Sequence, residues 1–233
     1  MNDHLERVDT LTFDIFGTVL DLTGGITPTL AEFLERKGST LDAGEVWKQW
    51  RARQRIEQFQ DTLLMLGHSG YVETARRGLV FTLRNNGVDF TEAESHELMK
   101  VFDGLRPFDD AANGLLRLGR RYKLVALSNG NKWLLDQLVE NHIDAKFDAS
   151  ISIDSFGRFK PHPAVYRGAA QMLGLEPGRI MMVAAHSFDI HGARACGFRG
   201  AYVNRYRLPY EETQLQPDFV VDDFLALCEQ LGV

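Results

Sequence analysis

Cysteine is scarce in this chain: Cys196 and Cys228 are the only two in 233 residues, and they lack the paired spacing of a zinc ribbon or a disulfide framework. That scarcity excludes a fold held by crosslinks and fits a reducing compartment, so a cytoplasmic location is expected. Long apolar runs are also missing. Nothing approaches the roughly 18 to 20 apolar residues that span a bilayer, and the stretch Met1–Arg7 lacks the apolar core of a signal peptide. Positive charge is not in excess either, since 26 Lys and Arg stand against 32 Asp and Glu for a formal net charge of -6. Neither nucleic acid nor membrane is therefore expected as a partner, because both reward clustered positive charge. Internal repeats and low-complexity tracts do not occur. What remains is an ordinary globular composition, 44% hydrophobic and 25% charged, in a length that suits one large domain or a main domain with an insertion.

The run Asp9–Phe13 is short, β-favouring and followed by Gly17, so it reads as a buried strand that ends in a tight loop at Asp14. Similar apolar runs lie at Lys123–Leu127, Ile180–Ala184 and Ala201–Val203, with Phe219–Val221 a weaker one. Helical patterns at Leu115–Arg120, Trp133–Val139 and Pro163–Leu173 separate them. Strands alternating with helices predict a doubly wound parallel α/β sheet. Between Thr27 and Phe102 the pattern becomes helix after helix, clearest at Glu45–Gln60, Tyr71–Arg84 and Glu92–Val101. The expected organisation is a Rossmann-like core of residues 1–20 and 105–233 with an all-helical cap inserted at 21–104, standing over the carboxyl edge of the sheet.

Open α/β sheets bind ligands outside the carboxyl ends of their strands, where strand order reverses. Polar residues collect there: Asp14 after the first strand, Ser128 and Asn129 after the second, Lys160 ahead of Pro161, and Asp189 after the Ile180 strand. Each has a plainer alternative. Asp14 could cap a loop and Asp189 the helix beginning near Ile190; Ser128 could serve the Asn129-Gly130 turn; Lys160 could be a solvated surface residue. His186 could be structural, Arg51 could be one of several solvated arginines with Arg53 and Arg55, Trp50 could only pack, and Tyr166 could sit beneath the Lys160 loop.

The strings Phe13-Asp14-Ile15-Phe16-Gly17-Thr18, Leu127-Ser128-Asn129-Gly130-Asn131, Phe159-Lys160-Pro161-His162-Pro163 and Asp189-Ile190-His191-Gly192 resemble, in order and spacing, the motifs of the haloacid dehalogenase superfamily. Within it the chain is most similar to the L-2-haloacid dehalogenase type, through those strings, Gly197–Arg205, and Trp50-Arg51 with Gln54. The resemblance implies that Asp14 is a nucleophile, that Lys160 pairs with it, and that Asp189 holds Lys160 and a water. It further implies that Thr18, Ser128, Asn129 and Tyr166 position substrate, that Arg51 beside Trp50 receives the leaving group, and that the protein is a homodimer.

Phosphatases of this superfamily carry a second aspartate two residues after the nucleophile; here that residue is Phe16. A further acid ahead of the last aspartate is also missing, since Ala184-Ala185-His186 stand there. Magnesium needs several hard oxygen ligands, so no metal and no other cofactor is expected. The expected reaction is displacement at the α-carbon of a small 2-substituted carboxylic acid, through an ester on Asp14, giving a 2-hydroxy acid. His186 replaces the residue usual in dehalogenases and could give a proton to a departing amine. That feature is similar to the azetidine-2-carboxylate hydrolases, relatives that open a four-membered ring. L-2-haloacids and L-azetidine-2-carboxylate therefore both stand as expected substrates.

Overall fold

The computed structural model describes residues 5–65 and 67–233; the first four residues of the N-terminal stretch read above lie outside them. In chain order the elements are β1 (Thr10–Phe13), α1 (Leu22–Arg36), α2 (Ala43–Leu64), α3 (Tyr71–Asn85), α4 (Glu92–Leu98) and α5 (Ala111–Leu118). They continue with β2 (Lys123–Ser128), α6 (Lys132–His142), β3 (Ala149–Ser152), α7 (Pro163–Leu173), β4 (Ile180–Ala184), α8 (Ser187–Ala195), β5 (Arg199–Val203), β6 (Phe219–Val221) and α9 (Phe224–Leu231). The chain divides into two compact units, Met1–Leu20 with Pro107–Val233, and Asp21–Arg106.

The first unit is a six-stranded sheet of order β3-β2-β1-β4-β5-β6, parallel throughout. β1 lies at its centre, with Thr10 opposite both Lys123 and Ile180, so the chain winds outward one way through β2 and β3 and then the other way through β4 to β6. This is a Rossmann-like α/β fold, and its reversal point falls beside β1. Central strands covered on both faces tend to be apolar or β-branched along most of their length, and β1 and β4 are fully buried, with Thr10 and Thr12 the polar members of β1. On one face Leu127, Ile151, Phe159, Val165, Ile190 and Phe198 build the core. On another, the Phe13 ring meets Phe224 edge-on at 5.5 Å. Truncating a core aromatic of this kind costs about 3–5 kcal/mol.

The sequence pattern misses β3. Its four residues, Ala-Ser-Ile-Ser, hold one strong strand former, and it sits at the sheet edge where pairing to β2 rather than composition makes it a strand.

The second unit is helical. Asp42 caps α2 by accepting from the Glu45 amide, and Thr91 with Glu94 forms a reciprocal capping box on α4. α2 and α3 pack closely because Gly78 has no side chain; a Cβ there would lie 2.9 Å from the Gln54 nitrogen. Two findings differ from the sequence pattern. α1 precedes the helices that were clearest, its Gly24, Gly25 and Pro28 having hidden it, and the expected helix over Glu92–Val101 tightens into a 3-10 turn from Met99 to Gly104. Among the described residues no helix is long and apolar enough to cross a membrane.

Candidate active site

The site in the sheet unit is built on the end of β1. The Asp14 amide continues the pairing with β4 by donating to the Val183 carbonyl at 3.0 Å. Beyond it the chain turns sharply, with Gly17 at φ 91°, a conformation that a side chain would strain. This turn returns Thr18 beneath Asp14, and the Thr18 hydroxyl donates to Asp14 Oδ2 at 2.8 Å while accepting from the Ala185 amide at 2.9 Å. His186, the last residue before α8, brings Nδ1 to 3.0 Å from the same Oδ2. Lys160 Nζ stands 3.6 Å from the other oxygen, Oδ1.

Lys160 is 1% exposed. Its ammonium donates to the Leu127 carbonyl at 2.5 Å and to Asp189 Oδ2 at 2.7 Å, and its backbone amide donates to Asn129 Oδ1 at 2.8 Å. Asp189 lies in the first turn of α8 and accepts the Tyr166 hydroxyl at 2.7 Å on Oδ1. The side chains of Asp14, Thr18, Lys160, His186, Asp189 and Tyr166 thus form one connected network drawn from three chain segments. Asn129, from a fourth segment, joins it through its side-chain oxygen, which accepts the Lys160 backbone amide. Ser128 is buried and accepts from the Gly130 amide at 3.0 Å, the turn bond that its local sequence favours.

A buried network holding two carboxylates and one lysine has strong electrostatics. Burial alone would raise the Asp14 carboxyl, but the Lys160 charge, the His186 contact and the Thr18 hydroxyl outweigh it and hold the group well below the usual carboxylate range. Burial pushes Asp189 the other way, to about 6; Lys160 opposes that shift and the Asp14 charge adds to it. One ammonium serves two carboxylates, and the cost of burying the second negative charge falls on Asp189. Burial, and then the Asp189 charge, push the Tyr166 phenol well above its ordinary value, so it remains a donor.

Phe16 is 2% exposed, and a Cβ on Gly130 would come within 2.3 Å of its ring. The position two residues after Asp14 is therefore an apolar wall against the Ser128–Gly130 turn. Among the described residues no group of three or more His, Cys, Asp or Glu side chains is arranged to hold a metal ion. The ionised Asp14, with one oxygen hydrogen-bonded twice and the other left beside an ammonium, is equipped for nucleophilic attack.

Trp50 and Arg51 belong to the helical unit. Trp50 is buried, donates to the Ala75 carbonyl at 2.6 Å and meets Trp47 and Phe102 edge-on. The Arg51 guanidinium donates to Gln54 Oε1 at 2.8 Å, with the Tyr71 hydroxyl at 3.5 Å.

Two residues of the turn after β5 were not singled out from sequence. Arg205 donates through Nε to the Thr18 carbonyl at 2.7 Å while its other nitrogens hold Asp110 at 2.9 and 3.0 Å. Tyr206 donates to the Gly17 carbonyl at 3.0 Å. Together they fix the backbone that follows Asp14 from a point 187 to 189 residues away in sequence. The Arg205 string carried a family resemblance but no local signal of this clamp.

Residues 8–197 match the family model for haloacid dehalogenase-like hydrolases. An (S)-2-haloacid dehalogenase of Xanthobacter autotrophicus is 31% identical over 201 residues, covering 85% of this chain and 76% of that one. The crystal structure of the defluorinating L-2-haloacid dehalogenase Rha0230 superposes with a TM-score of 0.83 at 31% identity, covering 97% of this chain and 96% of that one. The L-2-haloacid dehalogenase of Xanthobacter autotrophicus with chloropropionic acid covalently bound gives 0.80 at 26% identity, with coverage of 96% and 98%. A buried carboxylate paired with lysine at the head of this sheet, in a chain so matched, belongs to the haloacid dehalogenase-like hydrolase family, as a hydrolase of the L-2-haloacid dehalogenase type.

Proposed function

We propose that the enzyme displaces a substituent from the α-carbon of a small 2-substituted carboxylic acid, through an ester on Asp14, and releases a 2-hydroxy acid. The observation that carries this reading is the company Asp14 keeps: Lys160 at 3.6 Å, Thr18 at 2.8 Å, His186 at 3.0 Å, and Phe16 where a phosphatase would need an acid. A phenyl ring cannot protonate a leaving alkoxide. An ammonium, a hydroxyl and an imidazole around the carboxylate do not make the hard-oxygen shell that magnesium requires, so the donor set does not fit that ion and the reaction is metal-independent.

In this reading Asp14 forms a bond to the α-carbon as the leaving group departs with its electron pair. Water then attacks the Asp14 carbonyl carbon, and the alkoxide of the hydroxy acid leaves with a proton from that water. Lys160 keeps Asp14 ionised before attack, and Asp189 holds Lys160 in place. Arg51, with Trp50, serves the departing group, while Ser128, Asn129 and Tyr166 shape the substrate side. L-2-haloacids are the first substrate class, supported by the kinship with enzymes named for them and with one carrying covalently bound chloropropionic acid.

A second class is favoured by one residue. His186 puts an imidazole at the reacting carboxylate, and an imidazole can give a proton at neutral pH, which the ring nitrogen of L-azetidine-2-carboxylate needs and chloride does not. Single-turnover reaction in heavy-oxygen water tests the ester route: label should enter Asp14 first and product only in later turnovers. Label appearing directly in product would reject it. Comparing L-2-chloropropionate with L-azetidine-2-carboxylate, in wild type and His186→Asn, separates the substrate classes; loss of ring opening with halide release retained assigns the proton to His186. Equal loss on both substrates discards that assignment.

A further inference from the structure

A buried backbone carbonyl needs a donor, and the turn after Asp14 directs its own amides elsewhere. Thr18, Val19 and Leu20 all donate their amides to the Ile15 carbonyl, at 3.3, 3.1 and 2.9 Å, and the Gly17 amide donates to that of Leu20. Three successive carbonyls are left for other donors, and each is met from a distant part of the chain. The Tyr206 hydroxyl reaches Gly17 at 3.0 Å, Arg205 Nε reaches Thr18 at 2.7 Å, and the Phe108 amide reaches Val19 at 3.0 Å.

Of these donors Arg205 has the firmest base. Its side chain is only 6% exposed. Two of its nitrogens grip the Asp110 carboxylate at 2.9 and 3.0 Å, and the Phe224 amide holds that carboxylate in turn at 2.8 Å. The guanidinium carbon lies 4.1 Å from the centre of the Phe108 ring and 4.7 Å from that of Phe224. One residue earlier, the Asn204 amide donates to the Val221 carbonyl at 2.7 Å, and its side chain brackets Leu208 by accepting from the amide at 2.9 Å and donating to the carbonyl at 3.0 Å. A carbonyl, a carboxylate and two aromatic rings are thus held by one flat cation. Lysine, a point charge without a fixed fork or flat faces, cannot hold all four.

We propose that Arg205 is a positioning residue for the displacement step: it fixes the Thr18 peptide, and through it the angle at which the Asp14 carboxylate meets the α-carbon. The inference rests on the ester reading above. The path from Arg205 to the nucleophile is short. Arg205 holds the Thr18 carbonyl, the Thr18 hydroxyl donates to Asp14 Oδ2 at 2.8 Å, and the Asp14 amide is tied to Val183 at 3.0 Å. A carboxylate held by its backbone at one end and by one oxygen at the other has little freedom to rotate. Backside displacement needs the attacking oxygen, the carbon and the leaving group in line, and a misplacement of about 1 Å can cost about 100-fold in rate.

Single-turnover chloride release from L-2-chloropropionate, with enzyme in excess, reads the first step without ester hydrolysis. Per folded molecule, Arg205→Ala should slow it by roughly 100-fold while the half-saturating concentration stays within about twofold of wild type. Arg205→Lys should stay close to the Ala variant. Asp110→Asn, a milder change that loosens the guanidinium without removing it, should give a smaller loss of the same kind. Guanidinium ion, well below denaturing concentrations, should restore Arg205→Ala in a saturable way by seating between Phe108 and Phe224, whereas methylammonium should not. A wild-type single-turnover rate in folded Arg205→Ala and Asp110→Asn would overturn the proposal. So would a loss confined to the half-saturating concentration, or equal rescue by the two cations. Heavy oxygen entering product directly in wild type would instead sink the ester reading, whereas label in Asp14 together with an unimpaired Arg205→Ala rejects this proposal alone.

Discussion

Replacing Lys160 with methionine isolates the charge that the site depends on. Methionine matches much of the lysine stem but supplies no ammonium, so two buried carboxylates lose their shared partner. At an effective dielectric of 20, a unit charge 3.6 Å from Asp14 Oδ1 is worth about 4.6 kcal/mol. Converted at about 1.4 kcal/mol per tenfold, that is a change of about a thousandfold in the acidity of Asp14. Asp14 would then rise back towards the ordinary carboxylate range and stay ionised at neutral pH, but the ammonium that balances Asp14, Asp189 and an anionic substrate is gone, so rate should fall by at least about 100-fold on L-2-chloropropionate at pH 7. Breaking a buried pair while leaving its partner should also cost about 3–5 kcal/mol, or roughly 6–20 °C in Tm for a chain of this size.

The pH dependence supplies a sign as well as a size. In wild type the depressed Asp14 adds stability that is present above its unfolded value near 4 and lost as pH falls through its lower folded value. In the variant Asp189, already raised, loses the charge that opposes the shift, so its ionisation opposes folding more strongly, and stability should rise as pH falls from 8 towards 5. Calorimetry over that range, together with initial rates, checks both parts. A Lys160→Met enzyme with wild-type Tm and wild-type rate at pH 7 would refute the view that the lysine charge organises the site.

Two further outcomes follow from the same geometry. Asp189, pushed up to about 6, should give wild-type kcat an acid limb near that pH as it takes up a proton and loosens Lys160; Asp189→Asn should lower kcat and remove the limb, and an unchanged profile would show that another group titrates. Because its folded value is raised, Asp189 also makes wild-type stability fall as pH rises from about 4 to 6, a slope that the Asn variant should lack. Gly130→Ala would drive a methyl to 2.3 Å from the Phe16 ring; displacement of that wall should cost about 1–3 kcal/mol and raise KM, read from thermal melts and saturation curves, whereas wild-type values in both would show that the ring yields freely.

Much of the fold was legible because burial leaves a periodic trace. Strands covered on both faces are mostly apolar or β-branched, so β1, β2 and β4 stand out as short runs, and the helix patterns between them point to parallel crossovers. β3 escaped because an edge strand of Ala-Ser-Ile-Ser owes its existence to hydrogen bonds with β2, a partner that local composition does not reveal. α1 escaped because two glycines and a proline lower its intrinsic preference, while the burial of Leu22, Ile26, Leu30, Phe33 and Leu34 holds it helical.

Residue identity alone determined which chemistry the site can offer. Asp14, Lys160, His186 and Asp189 carry the ionisable groups, and Phe16 removes an acid, whatever the coordinates. Only tertiary structure decided how those groups divide the work. Which oxygen of Asp14 meets Thr18 and His186, which carboxylate bears the cost of a shared ammonium, and how Arg205 and Tyr206 hold the Gly17-Thr18 backbone all depend on distances of about 3 Å between segments far apart in sequence. Electrostatic and hydrogen-bond energies change steeply over an ångström, and a sequence pattern fixes order and spacing along the chain but not separation across it.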